Sequence, residues 1–355
     1  MDQQQERVDG IARAINQLKS LLIFILVALI LAPVGLFYGD SISNAIEREL
    51  ATKRQPIIIK EDLPVEIFWT APDPSAIQDI DLKTRIAYGK ELIAHTSKYL
   101  GPDGMVMQIS NGMNCQNCHL EAGTKTFGNN YAAVASTYPK FRARSGKSED
   151  VYKRINDCFE RSLNGKALDT LSNEMQALKA YITFLGSNVS KGDKPNGAGL
   201  KELTWLERGA DPKKGKVVYE TKCVSCHMAN GEGQYALDGK EYTYPPLWGN
   251  HSFNDGAGLY RLSNFARYAK YNMPQGVSHT NPMLTDEEAW DVAAFVNSQS
   301  RPHIDVPNDW PDISKKPVDH PIGPYADNYT EMQHKYGPFK PILEAQKNPL
   351  TTAQK

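Results

Sequence analysis

The chain has 355 residues, a length that predicts two or three domains. Its formal net charge of −1 at pH 7 gives no overall basic field, so we expect no nucleic-acid partner. A mean hydropathy of −0.49 excludes a protein that lies mostly within a membrane.

The first predicted element is an apolar helix near the N-terminus. Residues 21–38 carry no charge. As a helix they span roughly 27 Å at 1.5 Å per residue, close to the ~30 Å hydrocarbon core of a bilayer. We predict a transmembrane anchor at 20–38, between an N-terminal segment at 1–19 and a linker at 39–75. The alternative is a cleaved signal peptide, although the apolar part of such a peptide is shorter, about 7–15 residues.

Basic residues flank this apolar segment unevenly. Arg7, Arg13 and Lys19 precede it, whereas the first basic residue after it is Arg48. Because positively charged residues stay on the cytoplasmic side, we predict a cytoplasmic N-terminus and a single pass through a bacterial cytoplasmic membrane. The linker and the main body of the protein are then periplasmic.

Two cysteine motifs, "CQNCH" and "CVSCH", follow in the main body. Their six residues are Cys115, Cys118, His119, Cys223, Cys226 and His227. Two thiols at this spacing form thioethers to one porphyrin, and the next histidine lies under the iron as an axial ligand. We therefore predict two covalently bound haem c groups, with iron, which agrees with a periplasmic location. The alternative is a zinc site made from both pairs. The pairs lie far apart in this sequence, however, whereas common zinc ribbons separate their pairs by only roughly 15–20 residues.

Predicted helices repeat around the two motifs. A helix at 80–98 precedes the first motif, and a helix at 172–186 closes the first unit. In the second unit a helix leads into the motif and another closes the unit at 285–299. Both closing helices have good N-cap residues, Ser172 and Thr285.

This repetition predicts a mainly α fold. It consists of two tandem class I cytochrome c domains, preceded by one transmembrane helix and followed by a Pro-rich irregular tail. The predicted bounds are 76–190 for the first domain, 191–211 for a linker, 212–300 for the second domain and 301–355 for the tail. The tail holds nine of the 22 prolines, so we expect it to be irregular and to wrap around the surface.

Each haem iron also needs a second axial ligand. In the second domain the candidate is Met273 in "YNMPQG", since a thioether ligand raises the potential of a haem and suits electron transfer. Met283 is the rival, while Met228 is too close to His227 to reach the opposite face. A methionine that only fills the core is the remaining alternative.

The first domain has no such methionine before its closing helix. Cys158 instead lies 39 residues after His119. A thiolate binds ferric haem, lowers its potential and is a sulfur nucleophile once it leaves the iron. The alternative is a buried, inert thiol.

Cations surround Cys158 in the sequence. A helix predicted over 148–164 places Arg154, Cys158 and Ser162 on one face, because they are four residues apart. Arg144 lies just upstream, in "KFRARSGK". Neighbouring cations lower the pKa of a thiol and attract an anion. The alternative is a solvated helix with ion pairs four residues apart.

Several segments together resemble the dihaem thiosulfate dehydrogenase family. They are "GMNCQNCHLEAGT", "YPKFRARSG", "RINDCFERSLNG" and "NMPQG", in this order, and the resemblance covers about residues 76–345. It implies that Cys158 ligates the first haem and Met273 the second. It also implies that three residues line the substrate site: Arg144, Arg154 and Ser162. Some members have a lysine just before the methionine, where this sequence has Asn272.

The resemblance implies the oxidation of two thiosulfates to tetrathionate, or the reverse, with electrons passing to a cytochrome or other carrier. The predicted axial ligands are His119 and Cys158 for one iron, and His227 and Met273 for the other. The main alternative is a membrane-tethered dihaem electron carrier, which would not need the arginines around Cys158. A dihaem peroxidase would need an acid/base group, and no histidine lies near Cys158 in the sequence.

Overall fold

The computed structural model describes residues 66–347, residues 13–30 and the single residues 10, 41, 48 and 49. The chain divides into an N-terminal unit that ends at Glu66 and a larger unit that begins at Ile67. Most of the predicted linker at 39–75, residues 31–38 of the predicted anchor and the last eight residues lie outside the described residues.

In the N-terminal unit, helix α1 spans Arg13–Ile30. It is long and apolar enough to cross a membrane, and a signal sequence near the N-terminus has the same properties. The helix begins before residue 20, so it includes Lys19 from the segment predicted to precede the anchor.

The larger unit is mainly helical. Its helices and strands are α2 (Ile80–Ala94), α3 (Thr96–Leu100), α4 (Leu120–Gly123), α5 (Val134–Thr137), β1 (Lys140–Arg142), β2 (Lys147–Glu149), α6 (Val151–Asp157), α7 (Asn173–Leu185), α8 (Pro212–Lys222), α9 (Val224–His227), β3 (Gln234–Tyr235), β4 (Tyr242–Tyr244), α10 (Leu262–Asn272), α11 (Asp286–Ser298), α12 (Glu331–Tyr336) and α13 (Lys340–Lys347). The strands form two separate antiparallel pairs, β1–β2 and β3–β4.

A similar helix crossing occurs in each half of this unit. Helix α2 packs against α7, and α8 packs against α11. A glycine lies at each crossing: a Cβ on Gly89 would be 2.1 Å from the carbonyl oxygen of Ala177, and one on Gly215 would be 1.8 Å from that of Asp291. The same close backbone approach in both halves is the structural form of the repeat seen in the sequence.

Local signals placed the closing helices correctly. Helix α7 begins after Ser172, whose hydroxyl accepts a hydrogen bond from the Met175 N–H. Helix α11 begins after Thr285, which forms the capping box with Glu288. The helix predicted over 80–98 is instead two helices, α2 and α3, because the backbone of His95 is not helical.

The segment around Cys158 differs from the prediction in two ways. Ser148 belongs to β2, so the helix begins at Val151 rather than at residue 148, with Asp150 as its N-cap. Cys158 then begins a π-helical turn, Cys158–Ser162, in place of a continued α-helix. Such turns are rare and occur often at functional sites.

The tail packs against both halves of the unit. The Trp310 N–H donates to the carbonyl of Arg144, and the fully buried Asp319 accepts hydrogen bonds from Arg261 and Ser263. The prediction of an irregular tail is wrong for the residues of α12 and α13.

Alanine at either crossing glycine should destabilise the protein. We expect Gly89→Ala and Gly215→Ala each to lower the free energy of unfolding by about 1–3 kcal/mol, because the helices must move apart. Gly258→Ala is the control, since a Cβ there meets no atom within 4 Å. Denaturant unfolding of the haem-loaded protein measures all three, and equal stability of the Gly215 and Gly258 variants would contradict the close crossing.

Candidate active site

Cys158 and Arg154 meet in a cavity of the first half. The cavity has a volume of about 530 Å³, and the Arg154 Nη1 lies 3.1 Å from the Cys158 Sγ. The negative charge of a Cys158 thiolate raises the pKa of the buried Arg154. The Arg154 guanidinium therefore remains charged next to the Cys158 sulfur.

The hairpin β1–β2 presents Arg144 to the same cavity. Its register pairs Arg142 with Lys147, so Arg144 lies in the turn between the strands. The Arg144 side chain is mostly buried, and its Nε makes no hydrogen bond to any described residue. Burial lowers the pKa of Arg144 to about 10, and the nearby Arg161 adds to this effect.

Asp309 of the tail is the counterion of this pair of arginines. Its two carboxylate oxygens each lie 2.8 Å from a guanidinium nitrogen of Arg161. One of them is also 3.9 Å from the Arg144 Nε. Asp309, more than 140 positions away in the sequence, thus offsets the repulsion between Arg144 and Arg161.

The charged lining of the cavity is mostly cationic. Seven arginine and lysine side chains line it, namely Arg142, Arg144, Arg154, Arg161, Lys194, Arg261 and Arg267. Three carboxylates line it as well, namely Glu149, Asp157 and Glu202. Ser162 also faces this cavity, so the three residues predicted to line a substrate site lie together. The excess of positive charge makes the cavity suitable for an anion.

The first CxxCH motif lines the same cavity. Cys115, Cys118 and His119 all contribute to its wall. The His119 Nδ1 donates a hydrogen bond to the Asn129 carbonyl at 2.5 Å, and burial lowers the pKa of His119 to about 4. The imidazole is therefore neutral, with its Nε2 lone pair free to bind a metal. Two thiols and one such histidine fit covalent haem attachment.

A second, adjacent cavity of about 660 Å³ is lined by the other motif, Cys223, Cys226 and His227. The His227 Nδ1 donates to the Pro245 carbonyl at 2.8 Å, and burial lowers the pKa of His227. Met273, directly after α10, also lines this cavity. The donor set again fits a haem.

The other methionines are less well placed. Met283 is 58% exposed, and Met228 is 41% exposed with its sulfur accepting a hydrogen bond from the Gln234 side chain. Neither residue lines the second cavity.

The zinc and peroxidase alternatives gain no support within the described part of the chain. There, no group of three or more His, Cys, Asp or Glu side chains surrounds a common metal position. Among the described residues that line the first cavity, His119 is the one histidine, so no second histidine is placed as an acid/base group.

Sequence reasoning did not select several of the lining cations. Arg261 and Arg267 come from the second half, and Lys194 comes from the stretch between the halves. Because these residues are far from Cys158 in the sequence, no local motif predicts that they line the same cavity. Arg161, three residues after Cys158, was visible as a helical neighbour.

Two sequence profiles and several known proteins match this chain. A profile described as "SoxA/TsdA, cytochrome c domain" matches residues 106–192, and one described as "Cytochrome c" matches residues 212–300. Thiosulfate dehydrogenase from Psychrobacter arcticus is 38% identical over 68% of this chain and 71% of its own length. Thiosulfate dehydrogenase from Allochromatium vinosum is 36% identical over 71% of this chain and 91% of its own length.

The chain belongs to the thiosulfate dehydrogenase family. It is an oxidoreductase of the type that acts on sulfur donors, and its two cytochrome c domains bind covalently attached haem c. A solved structure, thiosulfate dehydrogenase (TsdBA) from Marichromatium purpuratum in its "as isolated" form, matches with a TM-score of 0.60 and 31% identity. That match covers 66% of this chain and half of the other chain.

Asp309→Asn should expose the anion-binding character of the first cavity. Without the carboxylate, Arg144 and Arg161 repel each other, so we expect a loss of about 1–3 kcal/mol in stability. Sulfate should restore more stability to this variant than to the wild type, because the dianion replaces the lost counterion. Thermal unfolding with sulfate, against chloride at equal ionic strength, measures this.

The matched control is Asp291→Asn, which removes a carboxylate that binds Arg208 through two 2.8 Å contacts away from the cavity lining. We expect this variant to be destabilised without specific rescue by sulfate. Equal rescue of both variants would mean that the cavity has no special affinity for a dianion.

Proposed function

We propose that this protein joins two thiosulfates into tetrathionate with the release of two electrons, and that it also catalyses the reverse reduction. The observation that carries the proposal is the 3.1 Å contact between Arg154 and the Cys158 thiol in a mostly cationic cavity. An electron carrier alone needs neither a thiol paired with an arginine nor a site for anions. The family membership supports the same substrate.

The proposed axial ligands follow from the two donor sets. His119 and Cys158 would ligate the iron of the first haem, and His227 and Met273 would ligate the iron of the second. The neutral imidazoles and the position of Met273 in the second cavity support this assignment. When bound, the two haems supply one-electron acceptors, and thioether ligation gives the second the higher potential.

The cations make the approach of two substrates possible. Unit charges 4 Å apart repel by about 4 kcal/mol at an effective dielectric constant of 20, and two dianions repel by a multiple of this. We assign Arg144, Arg154 and Ser162 to bind the sulfonate oxygens. Their fixed positive charge then screens one substrate from the other.

Cys158 is the proposed nucleophile, in the stage of the cycle in which it does not ligate the iron. Its thiolate and the sulfane sulfur of one thiosulfate form an S–S bond, and two electrons leave. The product is a cysteine S-thiosulfonate with one negative charge. The second thiosulfate attacks the sulfane sulfur of this adduct, which releases tetrathionate and restores the thiolate. Three negative charges enter each half-reaction. They leave the first as the adduct and two electrons, and they leave the second as tetrathionate and the thiolate.

The reverse direction uses the same atoms. Cys158 attacks tetrathionate, thiosulfate leaves, and two electrons then cleave the adduct to release the second thiosulfate. Because residue 272 is asparagine, no lysine competes with Met273 from that position, and we propose no ligand exchange there.

We further propose that α1 anchors the protein in a bacterial cytoplasmic membrane, with the haem domains in the periplasm. Its length and apolar composition support an anchor. Electrons then pass from the second domain to a cytochrome or other redox carrier.

Loss of the Cys158 thiol should abolish turnover. We expect Cys158→Gly to lose thiosulfate-dependent ferricyanide reduction and tetrathionate reduction while it keeps both haems, because only the nucleophile and one axial ligand are removed. Turnover is measured in both directions, and a pyridine haemochrome assay counts the haems. Full activity after Cys158 alkylation would exclude the covalent route, whereas an inert wild type with redox-active haems would leave the electron carrier as the better account.

Arg144→Gln should weaken substrate binding. We expect KM for thiosulfate to rise about 10-fold or more, since a charged hydrogen-bonding partner is lost. The control is Arg301→Gln, because burial also lowers the pKa of Arg301 to about 10, but this residue packs on Phe253 and Tyr260 outside the cavity. A similar rise of KM in both variants would show that lost stability, rather than lost binding, causes the effect.

A further inference from the structure

One short loop of the first domain contacts the axial-ligand regions of both cavities. Residues 125–129 follow the first CxxCH motif, and Phe127 and Asn129 have left-handed backbone angles, with φ of 54° and 58°. Their N–H groups donate to Gly197 and Gly199 of the stretch between the domains, at 2.8 and 2.9 Å. A bulky residue such as Phe127 rarely adopts this conformation unless the surrounding structure holds it, so the loop is firmly fixed.

Two backbone carbonyls of this loop accept hydrogen bonds, one from the first cavity and one from the segment beside Met273. The Asn129 carbonyl accepts the hydrogen bond from the His119 Nδ1. Two residues earlier, the Phe127 carbonyl accepts a 3.1 Å hydrogen bond from the side-chain amide of Asn272. Asn272 is buried and directly precedes Met273. Its Oδ1 bonds to no described residue, so the amide nitrogen alone anchors the side chain.

The loop also holds the segment on the other side of Met273. The Lys125 Nζ donates to the Val277 carbonyl at 3.2 Å. The Phe127 ring packs edge-on against His279, with the ring centroids 5.0 Å apart. One turn earlier on α10, the Tyr268 hydroxyl donates to the Asn117 carbonyl at 2.7 Å. The first domain therefore contacts the ligand segment before and after the methionine.

The second domain itself supports this segment weakly. Gln275 and Gly276 are exposed, and a Cβ on Gly276 would meet no atom within 4 Å. The Met273 N–H bonds back to Ala269, but this bond fixes only the end of α10. A segment with so few contacts to its own domain is mobile unless contacts from elsewhere hold it.

We propose that Asn272 and Lys125 are positioning residues that hold Met273 at the second haem through the 125–129 loop of the other domain. This inference rests on the proposed assignment of Met273 as an axial ligand. Each lost hydrogen bond should lower the equilibrium constant for methionine ligation roughly 2- to 10-fold.

The test uses Asn272→Leu and Lys125→Met in the full-length, haem-loaded protein. Imidazole displaces methionine from ferric haem, and the long-wavelength charge-transfer band of methionine-ligated haem reports the displacement. We expect the apparent Kd for imidazole at the second haem to fall roughly 2- to 10-fold in each variant. Circular dichroism confirms that the variants are folded.

Two matched controls remove similar groups elsewhere. Asn297→Leu deletes a buried amide that donates to Leu259 and Tyr260 within the second domain, and Lys191→Met deletes an ammonium that donates within the first. We expect neither control to change the imidazole Kd.

A wild type without the band would overturn the Met273 assignment and this inference with it. A wild type with the band, but an unchanged imidazole Kd in both variants, would overturn the positioning role alone. A shift in Asn297→Leu as large as that in Asn272→Leu would also overturn it.

Discussion

Buried positive charge beside a thiol is the constraint on which much of this structure depends. Moving guanidinium groups out of water costs several kcal/mol each unless anions or hydrogen bonds compensate. Asp309 compensates Arg161 and approaches Arg144, and Asp319 does the same for Arg261. Both carboxylates belong to the tail. The tail therefore contributes to the electrostatics of the first cavity, and its packing across both domains has a physical cause.

The two domains show how one helical framework places two different sulfur side chains, a cysteine and a methionine, beside a cavity. Both cross a glycine-bearing helix against a closing helix, and both place a CxxCH motif beside a cavity. In the second domain α10 ends at a methionine. In the first, a hairpin, a short helix and a π turn stand in the corresponding stretch and present Cys158 among arginines. The difference lies in the connecting segment, which can vary while the helix crossing is kept.

Local chemistry made much of the fold predictable. Ser172 and Thr285 cap their helices by contacts within four residues, so sequence alone was sufficient. The start of α6 was misplaced because Ser148, a good cap residue, pairs with Phe141 in the hairpin instead. The four-residue spacing alone predicted that Arg154 and Cys158 lie on the same face of the helix. The roles of Asp309 and Arg267 were not, because they depend on chain segments that meet only after folding.

The 125–129 loop bears on how such a protein can change over time. If the methionine of one domain is held by backbone carbonyls of the other, that domain is not an independent module. A duplicated or transplanted copy would carry its haem motif with it but leave behind the partner that orients its sulfur. Sequence change in the loop would then be restricted by two redox centres at once, and the two domains would have to diverge together.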